Sequence, residues 1–118
     1  MAIVAVSVAP LGTGEPSVSR FVAAALKVLE KYPDLEYRLD PMFTTIQGDL
    51  PRIFQAIVDM HEAVAALGAV RIGTVIKIDD RRDVRMPMEE KVRSVERLLS
   101  EKGVLTPIPD DEYSSAKD

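Results

Sequence analysis

The hydrophobic residues of this chain change their spacing several times, and the order of those changes constrains the fold more than any other feature. From Ala2 to Ala9 the chain is apolar and rich in Val, and Pro10, Gly12 and Gly14 end the run, which predicts a strand and then a loop. From Pro16 the spacing becomes helical through Val18, Phe21, Val22, Ala25, Leu26 and Leu29. Ser17 and Pro16 suit the start of that helix, and Tyr32-Pro33 stops it. Leu35 to Leu39 alternates as a short strand does, Asp40-Pro41 predicts a turn, and Met42 to Gln47 predicts the second arm of a hairpin. Asp49 is the expected N-cap of a second helix with Pro51 in its first turn, a buried stripe of Leu50, Ile53, Phe54, Ile57, His61 and Val64, and a stop at Gly68. A strand is expected over 70–79. A last helix is expected from about Pro87 to Lys102, with Met88, Val92, Val95 and Leu99 facing inward and Gly103 ending it.

Strands and helices thus follow one another as β-α-β-β-α-β-α. The first six elements are the split βαβ, ferredoxin-like arrangement, an α+β sandwich with a four-stranded antiparallel sheet and both main helices on one face. Residues 1–103 read as one ligand-binding domain, and 104–118 as a mobile C-terminal tail containing two prolines and a Ser-Ser-Ala stretch. One face of such a sheet lacks a helical cover. On the first strand Ala2, Val4, Val6 and Val8 alternate with Ile3, Ala5, Ser7 and Ala9, and both sets are small and largely apolar. An uncovered apolar face is an expected association surface, so self-association through the sheet is the first functional expectation.

Composition narrows the rest. With 118 residues, 47% apolar and 29% charged, the chain has the balance of an ordinary globular protein, while 5% aromatics and no Trp require an aliphatic core. The absence of Cys excludes a disulfide scaffold, a thiolate metal site and a Cys nucleophile, and fits a reducing compartment. The formal charge of −4 and the lack of any Lys/Arg run longer than two argue against nucleic acid as a partner. No secretory pattern opens the chain and no apolar run approaches a membrane span. A cytoplasmic protein that does not bind membrane is expected.

The residues able to do chemistry are few. Leu11-Gly12-Thr13-Gly14 matches neither dinucleotide-loop nor P-loop spacing. Ser17 and Ser19 stand where the first helix begins; capping accounts for one of them well and for both poorly, and the alternative is a polar ligand held by hydroxyls and free backbone N–H groups. His61 is the only histidine, and with Ala65 in place of a second one no metalloprotease motif exists, so a hydrogen-bonded packing role is expected. Thr44, Thr45 and Gln47 alternate with apolar neighbours and read either as an ordinary polar sheet face or as a row of groups lining a pocket against a second subunit. Asp79-Asp80-Arg81-Arg82 balances two acids against two bases and reads as a salt-bridged corner or a subunit contact. No catalytic residue, metal site or cofactor is expected. The competing readings are a small-molecule enzyme of the dimeric ferredoxin-like type and a protein-interaction module.

Four segments resemble the small thiamine-binding protein family, one-domain relatives of the tandem-domain proteins that bind thiamine and its hydroxymethylpyrimidine moiety. They are Ser7 to Thr13 with Ser17-Val18-Ser19, Met42 to Gly48, His61 to Val64, and Arg71 to Arg82. The resemblance implies a ferredoxin-like fold, a homodimer or homotetramer built through the sheets, and non-catalytic binding of thiamine or a related pyrimidine. It implies ligand-binding roles for Ser17, Ser19 and Thr44, which match the family's pattern, and for Gln47, which stands where relatives commonly carry an acid. Phe43 takes the place of a usually small residue and is expected to narrow the pocket.

Overall fold

The computed structural model describes residues 1–100. The expected tail, 104–118, lies outside the described residues. Residues 1–85 form one compact unit, and a second begins at Met86.

The first unit is organised around its first strand. β1 (Ala2–Pro10) is central in a sheet of order β2-β3-β1-β4, with β2 (Glu36–Leu39), β3 (Thr44–Gly48) and β4 (Ile72–Asp79). All three pairings are antiparallel. Strict alternation sends Ala2, Val4, Val6 and Val8 of β1 into the core, while Ile3, Ala5, Ser7 and Ala9 lie on the other face and are half-buried. β-branched residues dominate the buried set because they pack well on a pleated surface.

Two helices cover the buried face. α1 (Ser19–Val28) continues into a 3-10 turn, Leu29–Lys31, and contributes Phe21, Ala25 and Val28. It starts two residues later than the sequence implies: its N-cap is Val18, without a capping side chain, so neither serine caps it. α2 (Leu50–Ala66) has Asp49 at its N-cap in an extended conformation, and Pro51 in the first turn as expected, but the Asp49 side chain makes no capping hydrogen bond. Its buried stripe is Ile53, Ala56, Ile57, Met60 and Val64. Phe54 is therefore rotated outward, and His61 is half-buried at the stripe's margin. Gly48 ends β3 at φ +154°, and a Cβ there would lie 2.5 Å from Leu35 Cδ2, so no larger residue fits without displacing core.

The connection from α1 to β2 is pinned to α2 by polar contacts. The Tyr32 hydroxyl donates to Asp59, and the Arg52 guanidinium lies 4.5 Å above the Tyr32 ring. Arg52 also grips Asp34 through Nε at 2.9 Å and Nη2 at 3.0 Å. The fork holds the Asp34 carboxyl below its ordinary pKa, and the bond to Asp59 raises that of the Tyr32 phenol.

The second unit contains α3 (Met88–Ser100). On its surface Glu90 accepts from Arg97 at 2.6 Å and lies 3.6 Å from Arg93, while Arg93 also donates to the Glu89 carbonyl. Val92, Val95 and Leu99, expected to face inward, are exposed.

Candidate functional site

The site begins with a mismatch in strand length. β3 pairs with β1 only as far as Val6 opposite Thr44, whereas β1 continues through Ser7 and Val8 to Pro10. Beyond Thr44 the chain leaves the sheet in a tight hairpin loop, closed by the Asp40 N–H donating to the Phe43 carbonyl at 3.0 Å. The space vacated by the missing β3 residues is a cavity of about 80 Å³ between hairpin, β1 and α1. Val6 and Val8 line it from the sheet, Val22, Ala25 and Leu26 from α1, Met60 from α2, and Phe43 and Thr44 from the hairpin arm. It continues outward into a wider, shallower groove of about 610 Å³ along α1, lined by Val18, Ser19, Val22, Ala23 and Leu26 and facing Leu39, Asp40 and Pro41. Phe43 thus narrows the inner cavity, as expected. The cavity accommodates part of a small molecule, and the outer groove accommodates the remainder.

Thr44 is the polar group at the cavity floor. It is only 6% exposed, and its hydroxyl has no hydrogen-bond partner among the described residues. No side-chain oxygen fully closed off from solvent lacks a partner, so the Thr44 hydroxyl keeps some access to solvent, and Thr44 lines the cavity. A hydroxyl with solvent access and no protein partner is free to hydrogen-bond to a ligand that enters the cavity.

The four candidate residues do not meet at one point. Ser19 lines the outer groove, and the exposed Ser17 hydroxyl lies 3.4 Å from that of Ser19. These two and Thr44 follow one groove. Gln47 lies three residues along the strand from Thr44 and therefore points through the opposite side of the sheet. There its amide donates to Glu36 Oε2 at 2.7 Å, directly across the β2–β3 pair. Sequence reasoning put Thr44, Thr45 and Gln47 in one pocket against a second subunit, whereas the groove lies between α1 and the hairpin and takes in Thr44 without the other two. The signal was present in Asp40-Pro41, which fixes where the hairpin turns, but the shortfall of β3 against β1 depends on register, which periodicity does not reveal.

The other candidates are structural. His61 Nε2 lies 2.6 Å from Thr74 Oγ1, joining α2 to β4 at the sheet edge far from the hairpin. Arg81 pairs with Asp83 at 2.7 Å and Arg82 with Asp80 at 2.8 Å, so the charged corner is internally neutralised, its partners two residues apart in each case. Among the described residues no helix is long and apolar enough to cross a membrane, and no group of three or more His, Cys, Asp or Glu is arranged to hold a metal.

Comparison with known proteins places this groove in a family. Over residues 4–96 the sequence matches the family described as Thiamine-binding protein. It is 44% identical over 102 residues to the UPF0045 protein YqgV of Bacillus subtilis, covering 84% of this chain and 98% of that one. It is 43% identical over 106 residues to a UPF0045 protein of Staphylococcus xylosus, covering 87% and 99% respectively. The fold superposes on the crystal structure of protein MJ1052 of Methanocaldococcus jannaschii with a TM-score of 0.74 at 35% identity, over 82% of this chain and 97% of that one. A Thermotoga maritima structure, whose name connects it with thiamine biosynthesis or salvage, shares the fold at TM-score 0.67 and 19% identity, over 80% and 97%. The match extends from β1 into α3 and takes in every wall of the groove, so the chain belongs to the thiamine-binding protein family.

Proposed function

We propose that this protein binds thiamine or its hydroxymethylpyrimidine moiety in the groove between α1 and the β2–β3 hairpin, without catalysing a reaction, as a cytoplasmic homo-oligomer that carries, buffers or senses the vitamin. The observation that carries the reading is Thr44, buried, with its hydroxyl unpartnered among the described residues, lining an apolar cavity in a chain of the thiamine-binding family. An aminopyrimidine has a flat apolar ring with a hydrogen-bonding edge. Val6, Val22 and Leu26 suit the ring and Thr44 suits the edge. Ser19 and Ser17 serve the outer part of the ligand, and Gln47, held by Glu36 on the far face, supports β3 from behind. His61, the chain's only imidazole, is engaged with Thr74 at the other edge of the sheet, which favours a binder over an enzyme. Calorimetric titration of ligand-free protein with each compound tests the reading. Saturable binding of either supports it, and no heat and no thermal shift at millimolar ligand refutes it.

Assembly is part of this proposal, and the exposed apolar residues suggest where it occurs. The His61–Thr74 contact and the antiparallel course of α2 over β4 bring Val58 level with Ile76 and Phe54 level with Ile78. Val58 is 59% exposed and Ile78 43%, although both belong to the helix-covered side of the sheet. The other face, expected to be the association surface, carries charge at Glu36, Arg38 and Lys77 around its small central residues. The ridge of exposed apolar side chains along α2 and the β4 edge forms a second candidate for a subunit contact.

A further inference from the structure

We propose that the main chain of Val8 reads the amino edge of the pyrimidine: its N–H donates to a ring nitrogen and its C=O accepts from the neighbouring exocyclic amine. The inference rests on the reading of the cavity as an aminopyrimidine site and adds the groups that tell an aminopyrimidine from related rings.

Strand pairing decides which way each main-chain group of β1 points. In an antiparallel sheet the N–H and C=O of one residue point to the same side, and successive residues alternate sides. The Leu11 N–H donates to the Arg71 carbonyl at 2.8 Å, in register with the β1–β4 pairs. Odd-numbered residues of β1 therefore face β4, and even-numbered residues face β3. The hairpin gives the same answer from its own side. The Asp40 N–H donates to the Phe43 carbonyl in register with the β2–β3 pairs, so odd-numbered residues of β3 face β2 and even-numbered ones face β1. The hydrogen-bonded rungs between β1 and β3 are thus Ala2 with Gly48, Val4 with Ile46, and Val6 with Thr44. The next rung would join Val8 to Met42, but the ladder ends at Thr44 and that bond is not made.

Val8 is 6% exposed and lines the inner cavity together with Val6, Phe43 and Thr44. On the hairpin side its N–H and C=O have no partner among the described residues. Buried main-chain groups are nearly always paired, so a donor and an acceptor left side by side on one buried residue call for an occupant. The edge of a 4-aminopyrimidine, a ring nitrogen beside an amine, presents the complementary acceptor and donor. Such a ring continues the sheet by one rung in the place that Met42 leaves, as an added strand does at a sheet edge. Thr44, one rung earlier, lines the same cavity beside it. Selectivity follows from the polarity of that edge. A 4-oxo ring exchanges donor and acceptor, so in the same orientation donor meets donor and acceptor meets acceptor. Turning the ring over to restore the match carries its 5-substituent to the opposite side of the cavity.

The test uses the full chain with hydroxymethylpyrimidine, its 4-oxo analogue and its des-amino analogue. Calorimetry gives the affinities, and amide hydrogen exchange followed by NMR reads Val8. In the free protein the Val8 amide should exchange faster than those of Val4 and Val6, whose rungs are made. Saturating hydroxymethylpyrimidine should slow it roughly tenfold more than it slows theirs. The 4-oxo ring should bind roughly tenfold more weakly, because it leaves buried groups unpaired, and the des-amino ring several-fold more weakly. Binding that leaves Val8 exchange unchanged relative to Val4 and Val6, or equal affinities for the three rings, would overturn the Val8 contact and leave the aminopyrimidine reading standing. A Val8 amide as protected as its neighbours in the free protein would show that its rung is already made, and would also overturn the inference. Failure of all three rings and of thiamine to bind would remove the parent reading as well.

Discussion

At the scale of single residues, Thr44 distinguishes a ligand site from a packing defect. A hydroxyl needed only for strand propensity would be replaced without loss by Val, which has the same shape and better β-propensity. Thr44→Val is therefore expected to hold or raise the melting temperature while weakening aminopyrimidine binding several-fold, the effect of losing one neutral hydrogen bond of about 1 kcal/mol. Calorimetry and thermal denaturation on the same preparation check both halves. His61 should behave in the opposite way. Among the described residues its polar contact is with Thr74, so His61→Gln is expected to cost stability on the order of 1 kcal/mol and leave ligand affinity within a few fold. Abolished binding in a folded His61 variant would move the site to the other edge of the sheet.

At the scale of elements, the sequence was most legible where periodicity carries the information. All four strands and three helices lie where the alternation of two-residue and helical spacing puts them, because burial of one face dictates that spacing directly. What periodicity could not supply was rotation and register. On α2 the buried stripe keeps Ile53, Ile57 and Val64 but runs through Ala56 and Met60 and not through Phe54 and His61, a difference of helix rotation that residue hydrophobicity does not resolve. On β3, by contrast, the three-residue spacing of Thr44 and Gln47 already puts them on opposite faces of the sheet. The Tyr32–Arg52–Asp34 cluster was invisible for a further reason: its partners come from two segments distant in sequence and none has a motif. It has a testable pH signature. The folded pKa of Asp34 is lowered, so its contribution is present above the ordinary carboxylate pKa and is lost as pH falls through the lowered value. The folded pKa of Tyr32 is raised, so its contribution is present below the ordinary phenol pKa and is lost as pH rises through the raised value. In urea melts across pH, Arg52→Met should flatten the acid limb of the stability profile and Tyr32→Phe the alkaline limb. Unchanged limbs would show that these contacts contribute nothing measurable, as exposed ion pairs often do.

At the scale of the whole molecule, the proposed assembly depends on a small number of exposed apolar side chains. Val58→Glu or Ile76→Lys is expected to shift the light-scattering mass toward the monomer. Val70→Glu, at a site 97% exposed and outside the ridge, serves as the control. If Ala5→Glu on the opposite face dissociates the oligomer and the ridge variants do not, the contact runs through the open face of the sheet instead. The groove lies beside the hairpin and the ridge beside β4, on opposite edges of the sheet, so monomeric ridge variants should still bind ligand.

The position of β1 between β3 and β4 has a consequence for how the protein is made. Ile3 finds its partner Asp79 only after nearly the whole first unit has been synthesised, and β1 is the strand on which the sheet is built. During translation the Val-rich first strand must wait, unpaired on one side, until β4 leaves the ribosome. Non-local pairings of this kind are slow to close and leave strand edges exposed meanwhile. Nascent chains arrested before residue 72 should therefore resist protease poorly along β1. Chains arrested once Asp79 has cleared the exit tunnel should acquire protection there in a single step.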